Sequence, residues 1–304
     1  MTAGVEVRLH ARRRRYGEDV VKVLLGVCAL ISVATTVGIV VALFLPAFEF
    51  FGEVSVVDFF TGTEWAPLFE PARFGVLPLI SGTLLVTSIA SLVAMPLGLG
   101  AAIYLSEYAG PRTRGFLKPA LEVLAGIPTI VFGYFALTFM TPLLRDLGIQ
   151  VDIFNTLSAG LVMGVMLMPI VASLSEDAMA AVPRDLRDGA YALGSTKLQV
   201  ATRIVVPAAV SGIVASFVLA ISRAIGETMI VLIAMGQQAK LTFDPRAAAE
   251  AMTAFIAATG AGDVPTGSIE YKTIFAVGAT LFVLTLVMNV VAIRLVRKYR
   301  EVYE

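Results

Sequence analysis

Six long apolar runs are the feature that most constrains what this chain can fold into. Each run reaches about the 20 residues that a helix needs to cross the hydrocarbon core of a bilayer. Strands of a membrane β-barrel instead alternate apolar and polar residues over about 10 positions, and these runs do not alternate. The sequence therefore predicts an all-α membrane protein with about six transmembrane helices, at Val23–Leu45, Leu77–Ile103, Ala120–Met140, Phe154–Leu174, Pro207–Met235 and Thr273–Ile293.

The composition indicates that most of this chain is surrounded by lipid, and it excludes several classes of protein. Of the 304 residues, 58% are hydrophobic and 15% are charged, against about 45–50% and about 25% in soluble domains. The net charge of zero argues against a nucleic-acid binder. The chain has one histidine, His10, and one cysteine, Cys28, which cannot form a histidine-based triad or a His/Cys zinc site. We therefore predict a protein that is not an enzyme.

The distribution of Lys and Arg predicts the orientation in the membrane. Of the 23 basic residues, 17 lie in the N-terminal tail, loop 104–119, loop 175–206 and the C-terminal tail. Loops rich in Lys and Arg stay on the cytoplasmic side, so both termini are expected there. The run after Arg12–Arg15 is too long for a signal peptide and is predicted to remain as an anchor.

The predicted organisation is a transmembrane domain between two short tails. The tails are residues 1–19 and 297–304, the domain is residues 20–296, the outside loops are 46–76 and 236–272, and the longest cytoplasmic loop is 175–206. Trp65 in the first outside loop is typical of the membrane interface, with partner docking as the alternative. The small-residue stretch Ala257–Gly262 predicts that the second outside loop is mobile. Gly98 and Gly100 are predicted to serve helix packing.

The cytoplasmic loop 175–206 has the pattern of two helices joined at a glycine. Pro183 suits the first turn of one helix and Gly194 suits its end. Ser195 can cap a second helix over residues 197–204, which Pro207 would end. A narrow apolar stripe is formed by Leu186, Ala190 and Leu193. By periodicity alone, this helix–glycine–helix elbow is an amphipathic connector on the bilayer surface.

The elbow also resembles the EAA loop of ABC-importer permeases, whose pattern is E-A-A-x3-G-x9-I-x-L-P. The spacing is intact, with Asp, Gly and Val replacing Glu, Ala and Leu. The resemblance implies that the elbow couples the permease to a separate ATPase through Asp188, Gly189, Ala190, Gly194, Ile204 and Pro207. The chain lacks the G-x-x-x-x-G-K-[ST] loop that binds nucleotide phosphates. ATP and Mg²⁺ are therefore expected on the ATPase partner, with no cofactor on this chain.

Arg223 and Glu227 form a charged pair inside the fifth apolar run. An arginine in mid-membrane costs about 2.5–3.5 kcal/mol on insertion scales, so it is expected to face protein or water beside a partner. Residues four apart share one helix face, which predicts that the two side chains meet. A guanidinium binds oxyanions through paired hydrogen bonds, so the pair predicts an anion pathway. A structural ion pair between helices is the alternative.

The segment Arg223–Met229 resembles the R-A-x-G-E-T motif of phosphate-importer permeases, and further segments of the same resemblance are Leu77–Thr83, Ala101–Tyr108 and Leu121–Pro128. Met229 and the aromatic loop with Trp65 are more similar to the PstC type than to the PstA type. The resemblance implies the type I, MetI-like permease fold in the bacterial cytoplasmic membrane. It also implies three partners: a PstA-like permease, a PstB-like ATPase dimer and a PstS-like phosphate-binding protein. Phosphate would pass Arg223 and Glu227 by alternating access.

Three other functions remain open from the sequence. The same importer class could carry another oxyanion, namely sulfate, molybdate or phosphonate. An ATP-independent channel or proton-coupled carrier would need no ATPase. A non-transporting assembly or sensor subunit would use Arg223 and Glu227 only as a structural pair.

Overall fold

A computed structural model describes residues 16–298 of the chain. His10, Arg12–Arg15 and residues 299–304 lie outside the described residues. The chain divides into two units, residues 1–45 and residues 46–304. Helix α1 runs over Tyr16–Glu53, and its part in the first unit carries exposed apolar side chains, as expected of a helix solvated by lipid.

In the described part of the second unit, the regular elements are helices and one two-stranded hairpin. The hairpin pairs β1 (Trp65–Ala66) with β2 (Arg73–Phe74), with Trp65 opposite Phe74. The helices that follow α1 are α2 (Val56–Thr61), α3 (Leu77–Ile103), α4 (Pro111–Ala125), α5 (Thr129–Phe135), α6 (Thr141–Asp146), α7 (Thr156–Ala180), α8 (Arg184–Ala192), α9 (Lys197–Val200), α10 (Val206–Ala208), α11 (Val210–Ile225), α12 (Met252–Gly260) and α13 (Ile269–Lys298). Four π-helical turns adjoin them, at Tyr104–Tyr108, Ala136–Met140, Ala201–Val205 and Val231–Met235.

The six predicted spans correspond to four long helices and two bent pairs. The long helices are α1, α3, α7 and α13, each apolar and long enough to cross a membrane. One bent pair joins α4 to α5 and α6 at 87°, and the other joins α9 and α10 to α11 at 71°. The prediction of a continuous third helix over Ala120–Met140 is therefore wrong. Pro128 lacks an N–H for the helix, and the chain turns there between α4 and α5.

Helices α3 and α7 form the central pair of the fold and approach each other closely through glycines. A Cβ atom on Gly98, Gly160 or Gly164 would lie 2.6 Å from the side chain of Val171, Ile89 or Val93, respectively. Small residues allow such close packing of membrane helices, where van der Waals contact drives association. The predicted packing role is confirmed for Gly98, whereas Gly100 faces open space.

Replacing Gly98 with alanine is expected to destabilise the protein, because the new methyl group would overlap Val171. Overpacking of this kind costs typically about 1–3 kcal/mol. The matched control is Gly100→Ala, two positions along the same helix, where a Cβ would meet nothing within 4 Å. The apparent melting temperature in detergent should fall for Gly98→Ala and not for Gly100→Ala. Equal melting temperatures for the two variants would contradict the close packing.

Trp65 in the first predicted outside loop and α12 in the second are packed against other parts of the chain. Trp65 is 6% exposed and lies edge-to-face with Phe255, with their ring centroids 5.0 Å apart. Its ring is thus buried among the chain's own aromatic residues. Most of the stretch predicted to be mobile belongs to α12, where Met252 and Phe255 are buried. Small residues occur both in closely packed helices and in loops, so composition alone does not distinguish the two.

Candidate functional site

The fifth predicted span is interrupted close to its middle. Helix α11 ends at Ile225, Gly226 follows as its C-cap, and the chain returns to a π-helical turn at Val231–Met235. Glu227 and Thr228 lie in the break, outside any helix. Breaks of this kind are tolerated at membrane depth only where the backbone is buried in protein or lines a water-filled cavity. The expectation that both charged residues lie on one continuous helix is therefore wrong.

Arg223 and Glu227 nevertheless meet across the break, as the sequence predicted. Arg223 Nη1 donates a hydrogen bond to Glu227 Oε2 over 2.6 Å. The other carboxylate oxygen, Glu227 Oε1, accepts from the backbone N–H of Met229 at 3.2 Å. The carboxylate thus satisfies a backbone donor at the start of the helical segment that follows the break.

Arg223 and Glu227 differ in how accessible their side chains are, so only one of them can contact a ligand. The Arg223 side chain is 41% exposed, whereas the Glu227 side chain is 2% exposed. Among the described residues, no other N–H group of the Arg223 guanidinium has a hydrogen-bond partner. A guanidinium held from behind by a buried carboxylate, with free donors in front, can bind an anion.

A covering segment, residues 248–253, comprises the extended residues before α12 and the start of that helix, and it contacts the break. Thr253 Oγ1 donates to the carbonyl oxygen of Glu227 over 2.6 Å, and the N–H of Met252 donates to Thr83 Oγ1 over 3.0 Å. The carbonyl oxygen of Glu250 lies where a Cβ on Gly82 would be, at 2.2 Å. The segment therefore connects α3 to the break through hydrogen bonds between threonine side chains and the backbone.

Glu250 makes the covering segment sensitive to pH. Burial raises the pKa of this carboxyl, which lies outside the membrane-spanning segments, from 4.5 to about 7. A raised pKa favours the protonated form in the folded chain, so the contribution of Glu250 to stability is greatest below about pH 4.5 and is lost as the pH rises through 7. Replacing Glu250 with glutamine is expected to remove this fall, a gain of about 3 kcal/mol at pH 8.

The measurement is the unfolding temperature in detergent between pH 5 and pH 8. Asp263 is the matched control, because it lines the same cavity of about 470 Å³ but is exposed. Asp263→Asn should follow the wild-type pH dependence. A Glu250→Gln variant with the wild-type decline would contradict the role of burial.

The predicted elbow is present, with two details that differ from expectation. Gly194 has a φ of +81°, a left-handed conformation that favours glycine, and it ends the helical part of the elbow after α8. The cap of the second helix is Thr196 rather than Ser195, since Thr196 forms a capping box with Gln199. Leu193 lies outside α8 and is 89% exposed, so the predicted stripe does not form one buried face.

The residues predicted for ATPase coupling divide into a buried and an exposed set. Ala190 is buried in a cluster with Val200 and Val205, and Ile204 packs against the same cluster. Asp188, Gly189, Gly194 and Pro207 are exposed. The elbow thus shares a small core with α3, α7 and α11, and it presents a surface that the rest of the described chain leaves uncovered.

Sequence reasoning missed the ion pairs that hold the bundle at the end nearest the elbow, called here the elbow end. Glu176 on α7 is fully buried and pairs with both Arg114 and Lys118 of α4, with Lys118 Nζ at 2.8 Å. Arg187 of α8 pairs with Glu107 at 3.0 Å. The available signal was an acidic residue at the end of an apolar run, which requires a nearby cation when it is buried.

A bent bundle with a polar break and a two-helix elbow defines a membrane transport permease with the type I ABC importer fold. The inward-facing MetNI methionine ABC transporter is similar in fold, with a TM-score of 0.57 and 17% identity over 75% of this chain and 95% of that chain. A bacterial alginate ABC transporter in complex with its alginate-bound periplasmic protein has a TM-score of 0.58 and 16% identity over 93% and 98%. These likenesses concern the fold alone.

The chain belongs to the family described as binding-protein-dependent transport system inner membrane component, whose match covers residues 94–301. It is 33% identical to the probable ABC transporter permease protein YqgH of Bacillus subtilis, over 98% of this chain and 97% of that protein. It is 35% identical to the phosphate transport system permease protein PstC of Xylella fastidiosa, over 80% of each chain. PstC 1 of Mycobacterium tuberculosis is also 35% identical, over 80% and 82%. The resemblance to PstC-type permeases is thereby confirmed.

Proposed function

We propose that this chain is the permease subunit that carries inorganic phosphate across the cytoplasmic membrane in an ATP-driven importer. The observation that carries the proposal is the accessible guanidinium of Arg223, held by buried Glu227 at a break in a membrane helix. An arginine at this depth is costly unless it serves a polar pathway. Relatives that are named phosphate transport permeases support phosphate as the anion.

Within this proposal Arg223 contacts the anion and Glu227 positions the guanidinium. Both oxygens of Glu227 already accept hydrogen bonds from this chain, and its side chain is buried. A carboxylate in that position is poorly placed to touch phosphate, and it keeps Arg223 oriented. Selectivity between phosphate and other oxyanions would then depend mainly on the binding protein that delivers the substrate.

The partners and orientation complete the proposal. A PstA-like permease would form the second half of the pathway, and a PstS-like protein would deliver phosphate on the outside. A PstB-like ATPase dimer, which carries ATP and Mg²⁺, would dock on the elbow. The basic residues grouped at the elbow end support a cytoplasmic location for that end and for both termini. The enzyme activity of the complex would belong to the ATPase, with no cofactor on this chain.

The test is uptake of labelled phosphate and labelled sulfate in cells that lack this chain and receive it back together with its partner subunits. We expect phosphate uptake to return and sulfate uptake to stay at background. Recovery of sulfate uptake alone would overturn the substrate and leave the importer class. Uptake by the purified chain in liposomes without an ATPase would overturn the ATP-driven mechanism in favour of a channel or carrier.

A further inference from the structure

The elbow is attached to an element far away in the sequence, the π-helical turn Tyr104–Tyr108 that ends α3. Arg187 Nη2 of α8 donates a hydrogen bond to Glu107 Oε1 over 3.0 Å. The side chains of Arg187 and Glu107 are 16% and 5% exposed. Ser106 Oγ also donates to Glu107 Oε1, over 2.9 Å. This buried, charge-assisted contact is stronger than an exposed ion pair.

The same turn reaches the second helix of the elbow as well. Lys197 Nζ, at the start of α9, lies 5.2 Å from the centre of the Tyr108 ring, within the range of a cation–π interaction. Two successive residues of the turn therefore contact both helices of the elbow. Arg187 and Lys197 lie on opposite sides of Gly194, so the two contacts come from different helices of the elbow.

Arg187 also ties the elbow to α7. Its guanidinium donates to the carbonyl oxygens of Met179 and Val182, over 2.8 Å and 2.7 Å. One side chain thus joins α8, the end of α7 and the end of α3. A rigid-body movement of the elbow would be passed to all three, because packed elements shift together rather than deform.

We infer that Arg187 is a positioning residue that passes the movement of the elbow to the second membrane span through Glu107. The inference rests on the proposed function, because it concerns how an ATPase docked on the elbow moves the permease. Tyr108 and Lys197 add a second contact to the same turn. The π-helical turn is then the point where movement enters α3, consistent with the frequent use of such turns at functional sites.

The test uses the reconstituted complex with all its subunits and measures phosphate transported per ATP hydrolysed. Glu107→Gln and Arg187→Gln are each expected to lower this ratio about tenfold while the ATPase remains bound, since each leaves a buried charge unpaired. The double variant should be no worse than the more severe single variant, because the pair acts as one unit. Arg112→Gln, at an exposed cation of α4, is the control and should keep the wild-type ratio.

Two results would overturn the inference. Transport and ATP hydrolysis could fall in proportion, which would limit Arg187 to shaping the docking surface. The losses in phosphate transported per ATP of the two single variants could instead multiply in the double variant. That result would show that Glu107 does not act through Arg187. If Arg187→Gln fails to assemble, Glu107→Gln decides the question, since it leaves the bonds from Arg187 to Met179 and Val182 in place.

A second readout separates this inference from the proposed substrate. Tyr104 is 47% exposed, and Tyr104→Cys is combined with Cys28→Ser so that the new thiol can be labelled with a thiol-reactive reagent. The labelling rate is measured with and without ATP. We expect ATP to change the labelling rate at least about threefold, and Glu107→Gln to abolish this change. An ATP response without phosphate transport would overturn the substrate and support the inference. An equal response in Glu107→Gln would overturn the inference.

Discussion

Replacing Arg223 with alanine is expected to lower phosphate uptake at least about 100-fold while the complex still assembles. The variant removes the exposed donors that would bind the anion. It also leaves the carboxylate of Glu227, which is 2% exposed, without its cation. An unpaired negative charge in a region of low dielectric repels an anion strongly. Labelled phosphate uptake, normalised to the amount of assembled complex, is the measurement.

Two further variants separate charge from geometry at this site. Arg223→Lys keeps the positive charge but loses the planar fork, so uptake should fall about tenfold. Arg246→Gln is the control, because it removes a cation from an exposed pair with Asp244. That control should transport at the wild-type rate. Normal transport by assembled Arg223→Ala would show that the arginine is structural.

Replacing Gly194 with valine is expected to lower uptake about 30-fold, because the elbow can no longer turn between α8 and α9. The φ of +81° at this position is strained for any residue with a side chain and most strained for a β-branched one. A shift of the turn would displace Arg187 and Lys197 together. Uptake and co-purification of the ATPase are the measurements.

Gly194→Ala and Gly115→Ala complete this second test. Alanine at position 194 costs about 1–2 kcal/mol of backbone strain, so its effect should be smaller than that of valine. Gly115 lies in α4, where a Cβ would meet nothing within 4 Å, so Gly115→Ala should behave as wild type. Wild-type uptake by Gly194→Val would contradict a rigid elbow.

The sequence predicted the elements whose cause is local. Apolar runs became membrane-length helices, with Leu77–Ile103 predicted to the residue, because a bilayer requires about 20 apolar residues per span. The meeting of Arg223 and Glu227 was predicted from their four-residue spacing, although the pair forms across a break and not on one helix face. The same local reasoning failed where two candidates adjoin, as with Ser195 and Thr196, because only the backbone conformation selects the cap.

Contacts between distant residues were not predictable from one sequence. Arg187 and Glu107 are 80 positions apart, and Arg114 and Glu176 are 62 apart. Each is an ordinary charged residue near the end of an apolar run. Only the packing of α8 against the end of α3, and of α4 against α7, brings these charges together.

By itself, the sequence determined that this is a helical membrane protein with a charged pair in its fifth span and an elbow between its fourth and fifth spans. Hydropathy, charge and glycine act over one helix or one turn, so their effect can be deduced without neighbours. The tertiary structure decided that Glu227 is buried while Arg223 is accessible, and that the elbow is fastened to α3. Burial and distant ion pairs depend on how whole helices pack, which follows from the combined contacts of many residues.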